Sequence, residues 1–483
     1  MSKRACFMAI VVSLLLQPEF TSAQNQLPSL GDRISGYVTL EEEYRLGRGF
    51  LRSLRRSTPT ISDPLLNNYL ENLVYRLASK SELSDHRLAF VIVDSEDLNA
   101  FAVPGGVIGV NTGLFLSAHT EGEFASVMAH ELAHVSQRHF ARGIEERQTT
   151  RIPNMAAILA AVVVMTTSDA RHGQAAVMAA QGRAVENQLR FSRSHEAEAD
   201  RIGIKTLFDA GYDPYAMPAL FQRLAVNSRF GTRPPEFLLS HPLTESRISD
   251  SRGRALRYPE RIYSENLEYL IMRARVITHY ADNKKDVVID YQGLLRDSET
   301  EVQSDGNRYG LTMAYWEDTN YSLATETLAP LLAKDPNRIS YVVTQAEIFT
   351  AQNEPGLATT FLQRHMTINP NNHPLTMAYA DALIESRDYT QAVEILEQHA
   401  ESRPEDFSLW FLIAETQGQA GNISKVHQAR AEYYILVGDF RQARQQLQYA
   451  LNIEAKETNN NALISTLRQR VRDIQELELA LAG

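Results

Sequence analysis

Cysteine is all but missing from this chain. The single thiol, Cys6, lies in an N-terminal apolar run, so the rest of the chain can form no disulfide and must rely on packing. Basic charge is in deficit as well. A formal net charge of −11 argues against a nucleic-acid binder, which carries a basic face. Also lacking is any apolar run of the roughly twenty residues that a membrane-spanning helix needs. The run from Ala5 to Leu16 follows Lys3 and Arg4, is broken by Pro18, and is trailed by Thr21-Ser22-Ala23. That three-part pattern is a secretory signal peptide, with cleavage expected after Ala23. Cys6 lacks the small-residue context of a lipoprotein cleavage site.

What remains is ordinary globular material. With 483 residues, 44% hydrophobic and 22% charged, the chain has enough apolar residues for two or three cored domains. Helical patterns cover Leu40 to Arg55 and Pro64 to Ser79, and a strand-like piece covers Leu88 to Val93. NAFAVPGGVIGVNTGL, from Asn99 to Leu114, reads as two short strands turning at Pro104-Gly105-Gly106. Thr120 and Glu123 make a capping box before a strong helix. Another helix is expected from Ala184 to Ala210, stopped by Gly211 and Pro214.

The second half has a period. Pro336, Pro370 and Pro404 stand 34 residues apart, as do Ala324, Ala358 and Ala392, with Val426 at the next step. Paired amphipathic helices at this spacing are the tetratricopeptide signature. A helical bundle with coincidental spacing is the duller reading, and two series in phase count against it. Stacked pairs of this kind make a concave groove for a segment of another protein.

The chemistry is concentrated in FASVMAHELAHVSQRH. His130 and His134 are four residues apart, so both rings leave one face of a helix and can hold one Zn²⁺. Glu131 beside them can accept a proton from an attacking water and pass it to the leaving amine. A surface helix carrying two histidines by chance is the alternative. The apolar flanks Phe124, Ala125, Val127, Met128, Leu132 and Val135 instead indicate a buried helix, and a buried Glu131 needs a reason. A third ligand is required. His139 fits poorly, because Gln137 and Phe140 occupy the Gly and His positions of the three-histidine pattern. On SRSHEAEADRIGI, Glu196 and Asp200 share a helical face: Glu196 as a ligand, Asp200 as the partner of a ligand histidine's far nitrogen. Glu198, off that face, is expected to be solvated. An ordinary charged surface, with Arg201 and Lys205 nearby, remains open for this helix.

HELAH, SRSHEAEAD about sixty residues on, and SHPLTESRI at 240–248 together resemble the M48 family of zinc metallopeptidases, and the 99–114 segment is similar to that family's active-site strand region. The resemblance implies a mainly α chain: a zincin-like metalloprotease domain with a small β-sheet, followed by an α-solenoid of tetratricopeptide repeats. It implies a signal peptide over 1–23, the protease domain over 24–265 and the repeat domain over 266–483, with clear repeats from about 305. It assigns one Zn²⁺ per chain to His130, His134 and Glu196, the catalytic carboxylate to Glu131 and the supporting acid to Asp200. His241 would sit near the metal, able to take the fourth zinc position and keep the enzyme latent. Arg247 matches a basic residue near the site. The apolar stretches Met155–Met165 and Ala175–Ala180 are too short to span a membrane; they would cover the site, touch a membrane or client, or simply pack.

With the leader and the repeats, the resemblance implies a periplasmic endopeptidase. Its clients would be unfolded or misassembled outer-membrane β-barrel proteins, and its repeats would meet the β-barrel assembly machinery and the lipopolysaccharide-transport barrel. The strand at 106–111 is expected to border the cleft and pair with an extended substrate. Two other readings stand beside this one. The chain could be chiefly an assembly scaffold or chaperone with a dormant site, or a zinc aminopeptidase, which would have no use for so long a repeat region.

Overall fold

A computed structural model describes residues 38–146, 193–230, 235–457 and 460–482. The expected leader and the apolar stretches at 155–165 and 175–180 lie outside these residues. No helix among the described residues is long and apolar enough to cross a membrane.

Helix α1 (Leu40–Ser57) starts at a complete capping box: Thr39 accepts from the Glu42 N–H while the Glu42 carboxylate accepts from Thr39. Helix α2 (Pro64–Ala78) is capped by Asp63, with Pro64 in the first turn where its missing N–H costs nothing. Three strands follow: β1 (Ala89–Val93), β2 (Ala100–Val103) and β3 (Val107–Asn111). β2 and β3 form the expected hairpin, with Gly105 and Gly106 both at positive φ (77° and 76°) in its turn. A Cβ on Gly105 would meet the Glu43 carbonyl oxygen at 2.4 Å, so the turn admits only glycine there. β1 pairs parallel to β3, which makes β3 the central strand of the order β1-β3-β2. The sequence held no sign of that parallel pairing.

Helices α3 (Gly113–Ser117), α4 (Glu121–Ser136), α5 (His139–Glu146), α6 (Arg193–Asp209), α7 (Ala216–Phe230), α8 (Glu236–Ser240) and α9 (Glu245–Ala255) complete the first half. Thr120 caps α4 as expected, but Glu123 does not close the box on Thr120. Its carboxylate takes the His119 N–H at 2.6 Å and pairs with Arg223 of α7. Helix α4, which carries His130 and His134, is buried on nearly every face.

Beyond Asn266, which caps α10 (Leu267–Tyr280), the chain is a run of antiparallel helix pairs. First helices begin at Ile339, His373 and Phe407, and second helices at Tyr321, Pro355, Tyr389 and Ile423, each series in steps of 34. Ala324, Ala358 and Ala392 are wholly buried where each pair closes, because only a small side chain fits between helices so near one another.

The two halves share a core. Tyr69 of α2, Phe115 of α3, Phe124 of α4 and Tyr269 of α10 form an aromatic knot with centroids 4.4–6.3 Å apart. The same apolar cluster continues from Leu65 to Ala392. Arg275 of α10 adds a buried polar tie: Nε donates to Asp63 at 2.7 Å, Nη2 to Glu347 at 3.0 Å and Nη1 to Tyr309 Oη at 3.1 Å. Removing one partner of a buried ion pair strands the other's charge, at a cost of about 3–5 kcal/mol. Arg275→Met should therefore destabilise the fold by about that much in urea unfolding. A loss below about 1 kcal/mol would mean that Asp63 and Glu347 do not depend on Arg275.

Candidate metal centre

Two helices build the site by crossing closely. Gly203 of α6 lies against the backbone of Ala129 and His130; a Cβ there would stand 3.2 Å from the His130 nitrogen. Glu196 and Asp200 precede Gly203 by seven and three residues, so all three ride one face of α6 and meet the His130 side of α4.

At the crossing, four side chains offer ligand atoms that all lie within 4.8 Å of one another: His130, His134, Glu196 and His241. The Nε2 atoms of His130 and His134 are 3.0 Å apart, and Nδ1 of His241 lies 3.3 Å from His130 Nε2 and 3.0 Å from Glu196 Oε1. Each is at most 3% exposed. Burial holds the His134 imidazole well below its usual pKa, hence neutral. Burial opposes ionisation of Glu196, but His241, His130 and His134 outweigh it and keep the carboxyl well below the usual range. Burial opposes the charged form of His130, but Asp200 and Glu196 outweigh it and raise its pKa to about 9, so these carboxylates favour positive charge among the imidazoles, as a proton or as a metal ion. Nitrogen and oxygen donors in this number and spacing fit such an ion.

Asp200, Arg247 and His139 hold the donors in place. Asp200 Oδ1 is 3.0 Å from Nδ1 of His130, which leaves Nε2 turned to the centre. Arg247, on α9, grips Asp200 with a fork: Nε to Oδ2 and Nη2 to Oδ1, both 2.8 Å. Its Nη1 reaches Glu196 Oε2 at 2.8 Å and the Pro242 carbonyl at 2.9 Å. One guanidinium thus ties both carboxylates of α6 to the loop that carries His241. The His241 ring also stacks on Phe237, 4.9 Å between centroids.

His139 is brought here in a role the sequence reading did not give it. It is no member of the converging four; its Nδ1 lies 2.9 Å from Nδ1 of His134, and its Nε2 3.2 Å from Glu198. Arg138 adopts φ +52°, which ends α4 and folds His139 back behind His134. Glu198 is not simply solvated, as was expected. It binds His139 and, at 2.8 Å, Arg142, with its side chain only 23% exposed.

Glu131, 1% exposed, sits beside the four with Oε1 3.3 Å from Nε2 of His241. Burial raises its pKa, which suits a group that must take up a proton. The backbone of Ala102 on β2 opposes this shift, less than the charges nearby do. This corrects the expectation for 106–111: β3 is paired on both sides and offers no edge. The strand bordering the site is β2, where the Asn111 N–H to Asn99 carbonyl bond sets the alternation that turns Ala100 and Ala102 outward.

Two histidines one turn apart, an acid between them and a carboxylate from a second helix, next to a free strand edge, define a metallopeptidase. Residues 64–255 match Peptidase family M48, and residues 349–415 match a tetratricopeptide repeat. A Vibrio cholerae relative is 35% identical over 88% of this chain and 88% of its own. The beta-barrel assembly-enhancing proteases of Yersinia pestis and Escherichia coli K12 are 32% and 31% identical, over 87% and 88% of this chain and 86% and 87% of theirs. The chain belongs to the M48 metallopeptidases, in the group that carries tetratricopeptide repeats and is named for β-barrel assembly enhancement.

If Asp200 orients a metal-ligating His130, Asp200→Asn should weaken metal affinity by about 10–100-fold in competition with a chromophoric chelator. Unchanged affinity would remove Asp200 from that role.

Proposed function

We propose that the chain is a periplasmic zinc endopeptidase that clears misfolded or stalled outer-membrane β-barrel proteins and assists their assembly. Residues 24–265 would form the catalytic domain and 266–483 the recognition domain. The reading is carried by one observation: His130, His134 and Glu196 converge in a buried pocket with Glu131 beside them. In it they are the three protein ligands of one zinc ion, which when bound polarises a peptide carbonyl and acidifies a water. Glu131 takes the proton of the attacking water and delivers it to the departing amine. The outer edge of β2 holds an extended substrate through the backbone of Ala100 and Ala102. That favours unfolded segments over folded ones. The names of the relatives, the leader pattern and the repeats support the place, the clients and contacts with the β-barrel assembly machinery and the lipopolysaccharide-transport barrel.

The second reading, a repeat scaffold with a latent protease, draws on His241. Its Nδ1 stands where a fourth ligand would stand, and its Nε2 faces Glu131, so it closes both halves of the chemistry at once. In the proposal this is a latch: cleavage waits until the loop at His241-Pro242 shifts.

Metal analysis with cleavage of an unfolded model protein tests both readings. One zinc per chain is expected, with cleavage at least about 100-fold lower in Glu131→Gln and higher in His241→Ala. Zinc without cleavage in any variant would favour the scaffold. A chain that binds no zinc would overturn the proposal.

A further inference from the structure

Helix α1 carries Arg48, Arg52, Arg55 and Arg56, a basic ridge in a chain of net charge −11. The ridge faces the repeats at the turn before Phe407 and the turn before Phe440. Arg55 lies over the Phe407 ring, 4.9 Å from its centroid, and Arg52 over Phe440 at 5.9 Å. The ion pairs across this contact are long: Arg48 to Glu405 and Arg56 to Asp439 are both 3.9 Å. Those spacings lie outside hydrogen-bond range. Nε and Nη1 of Arg48 and Nε of Arg55 are accordingly buried with no acceptor, and Arg48 is only 8% exposed. Such donors are costly to leave unmet, more so on a charged group. Burial, with Arg48 and Arg52 close by, depresses the pKa of Arg55 to about 10 despite Asp406 and Glu405. Two acids of the facing wall are engaged elsewhere: Glu71 pairs with Arg403 at 2.7 Å, and Asp406 caps the helix at Leu409. The third, Glu405, also lines the cavity, but its side chain is 55% exposed and comes no nearer to Arg48 than 3.9 Å.

Beside Arg55 opens a cavity of 320 Å³ between the sheet and the repeats, and its floor is the outer edge of β1. Ala89 and Val93 bond inward to β3, through the Ala89 N–H to Gly106 and the Thr112 N–H to Val93. Alternation therefore turns the N–H and C=O of Phe90 and the N–H of Ile92 towards the cavity. The edge already takes an added strand one step further on, where the Ile61 N–H meets the Ile92 carbonyl at 2.9 Å. Tyr75, Phe90 and Phe407 supply apolar wall for a side chain.

We propose that this cleft binds the C-terminal end of an extended polypeptide, its backbone paired with the β1 edge at Phe90 and its terminal carboxylate on Arg55. A chain end supplies a strand and an anion together, whereas a small anion supplies only the second. The site lies on the sheet edge opposite β2 and does not rest on the metal or on Glu131.

The test is fluorescence anisotropy of the full chain with a dye-labelled Thr-Val-Thr-Val-Thr-Phe peptide, as free acid and as C-terminal amide. The free acid is expected to bind about tenfold tighter, the size of one charge-assisted contact. Arg55→Gln should erase that preference. Ser408→Glu, which places a carboxylate in the cavity, should weaken the acid form while the melting temperature shows an intact fold. Equal affinity for acid and amide, or no binding of either, overturns the proposal. So does an amidated peptide with an internal glutamate that binds as well as the free acid, or displacement by inorganic phosphate at equal concentration. Binding unchanged in both variants would place the peptide elsewhere and overturn it too.

Discussion

The site depends on how near α6 can come to α4. Gly203 lets the two backbones touch, and the face that carries it also carries Glu196 and Asp200. A Cβ at 203 would stand 3.2 Å from the His130 nitrogen and 3.3 Å from the Ala129 carbonyl carbon, so the helix opposite would have to give by a few tenths of an ångström. Close approach sets the positions, and charge then decides whether they are tolerable. Two buried carboxylates a turn apart repel, and a low-dielectric surround magnifies that. Arg247 answers the repulsion with hydrogen bonds to Asp200 and an ion pair to Glu196, each at 2.8 Å.

Arg247 also makes the site and its cover one mechanical unit. The guanidinium that holds Asp200 and Glu196 holds the Pro242 carbonyl, next to the His241 that fills the fourth corner. The loop cannot leave without disturbing either that bond or the stack on Phe237. A closed site is thus compatible with an intact donor set, because the same contacts serve both. On the other side, His139 and Glu198 extend the support behind His134, so each histidine of α4 is backed through its far nitrogen.

Much of this could be read before any coordinates. The HELAH spacing, the shared face of Glu196 and Asp200, the hairpin glycines and the 34-residue period are local patterns, and local patterns survive in one dimension. What escaped depended on distance in sequence. The parallel pairing of β1 with β3, which makes β2 rather than β3 the edge at the site, is a crossover with no local sign. His139 was judged only as a metal ligand, by the three-histidine spacing; its place behind His134 follows from Arg138 at positive φ, which ends the helix and which nothing in the residue type announces. Glu123 keeps its helix-capping position yet bonds to His119 and Arg223, since a partner on α7 outcompetes the local box. Arg247 was known only as a basic residue near the site; its fork on Asp200 joins residues 47 apart.

The aromatic knot of Tyr69, Phe115, Phe124 and Tyr269 has a consequence for how such a chain can be taken apart. Tyr269 belongs to the first helix after Asn266, while Phe124 opens the helix that presents His130 and His134. A cut between the halves would leave three large rings facing water and loosen the base of the metal-facing helix. The enzyme therefore has no natural seam at which a smaller, self-sufficient peptidase could be excised. Whatever bends the helical repeats near Tyr269 bears directly on the footing of the active-site helix, so the two halves form a single machine rather than a tool with a detachable handle.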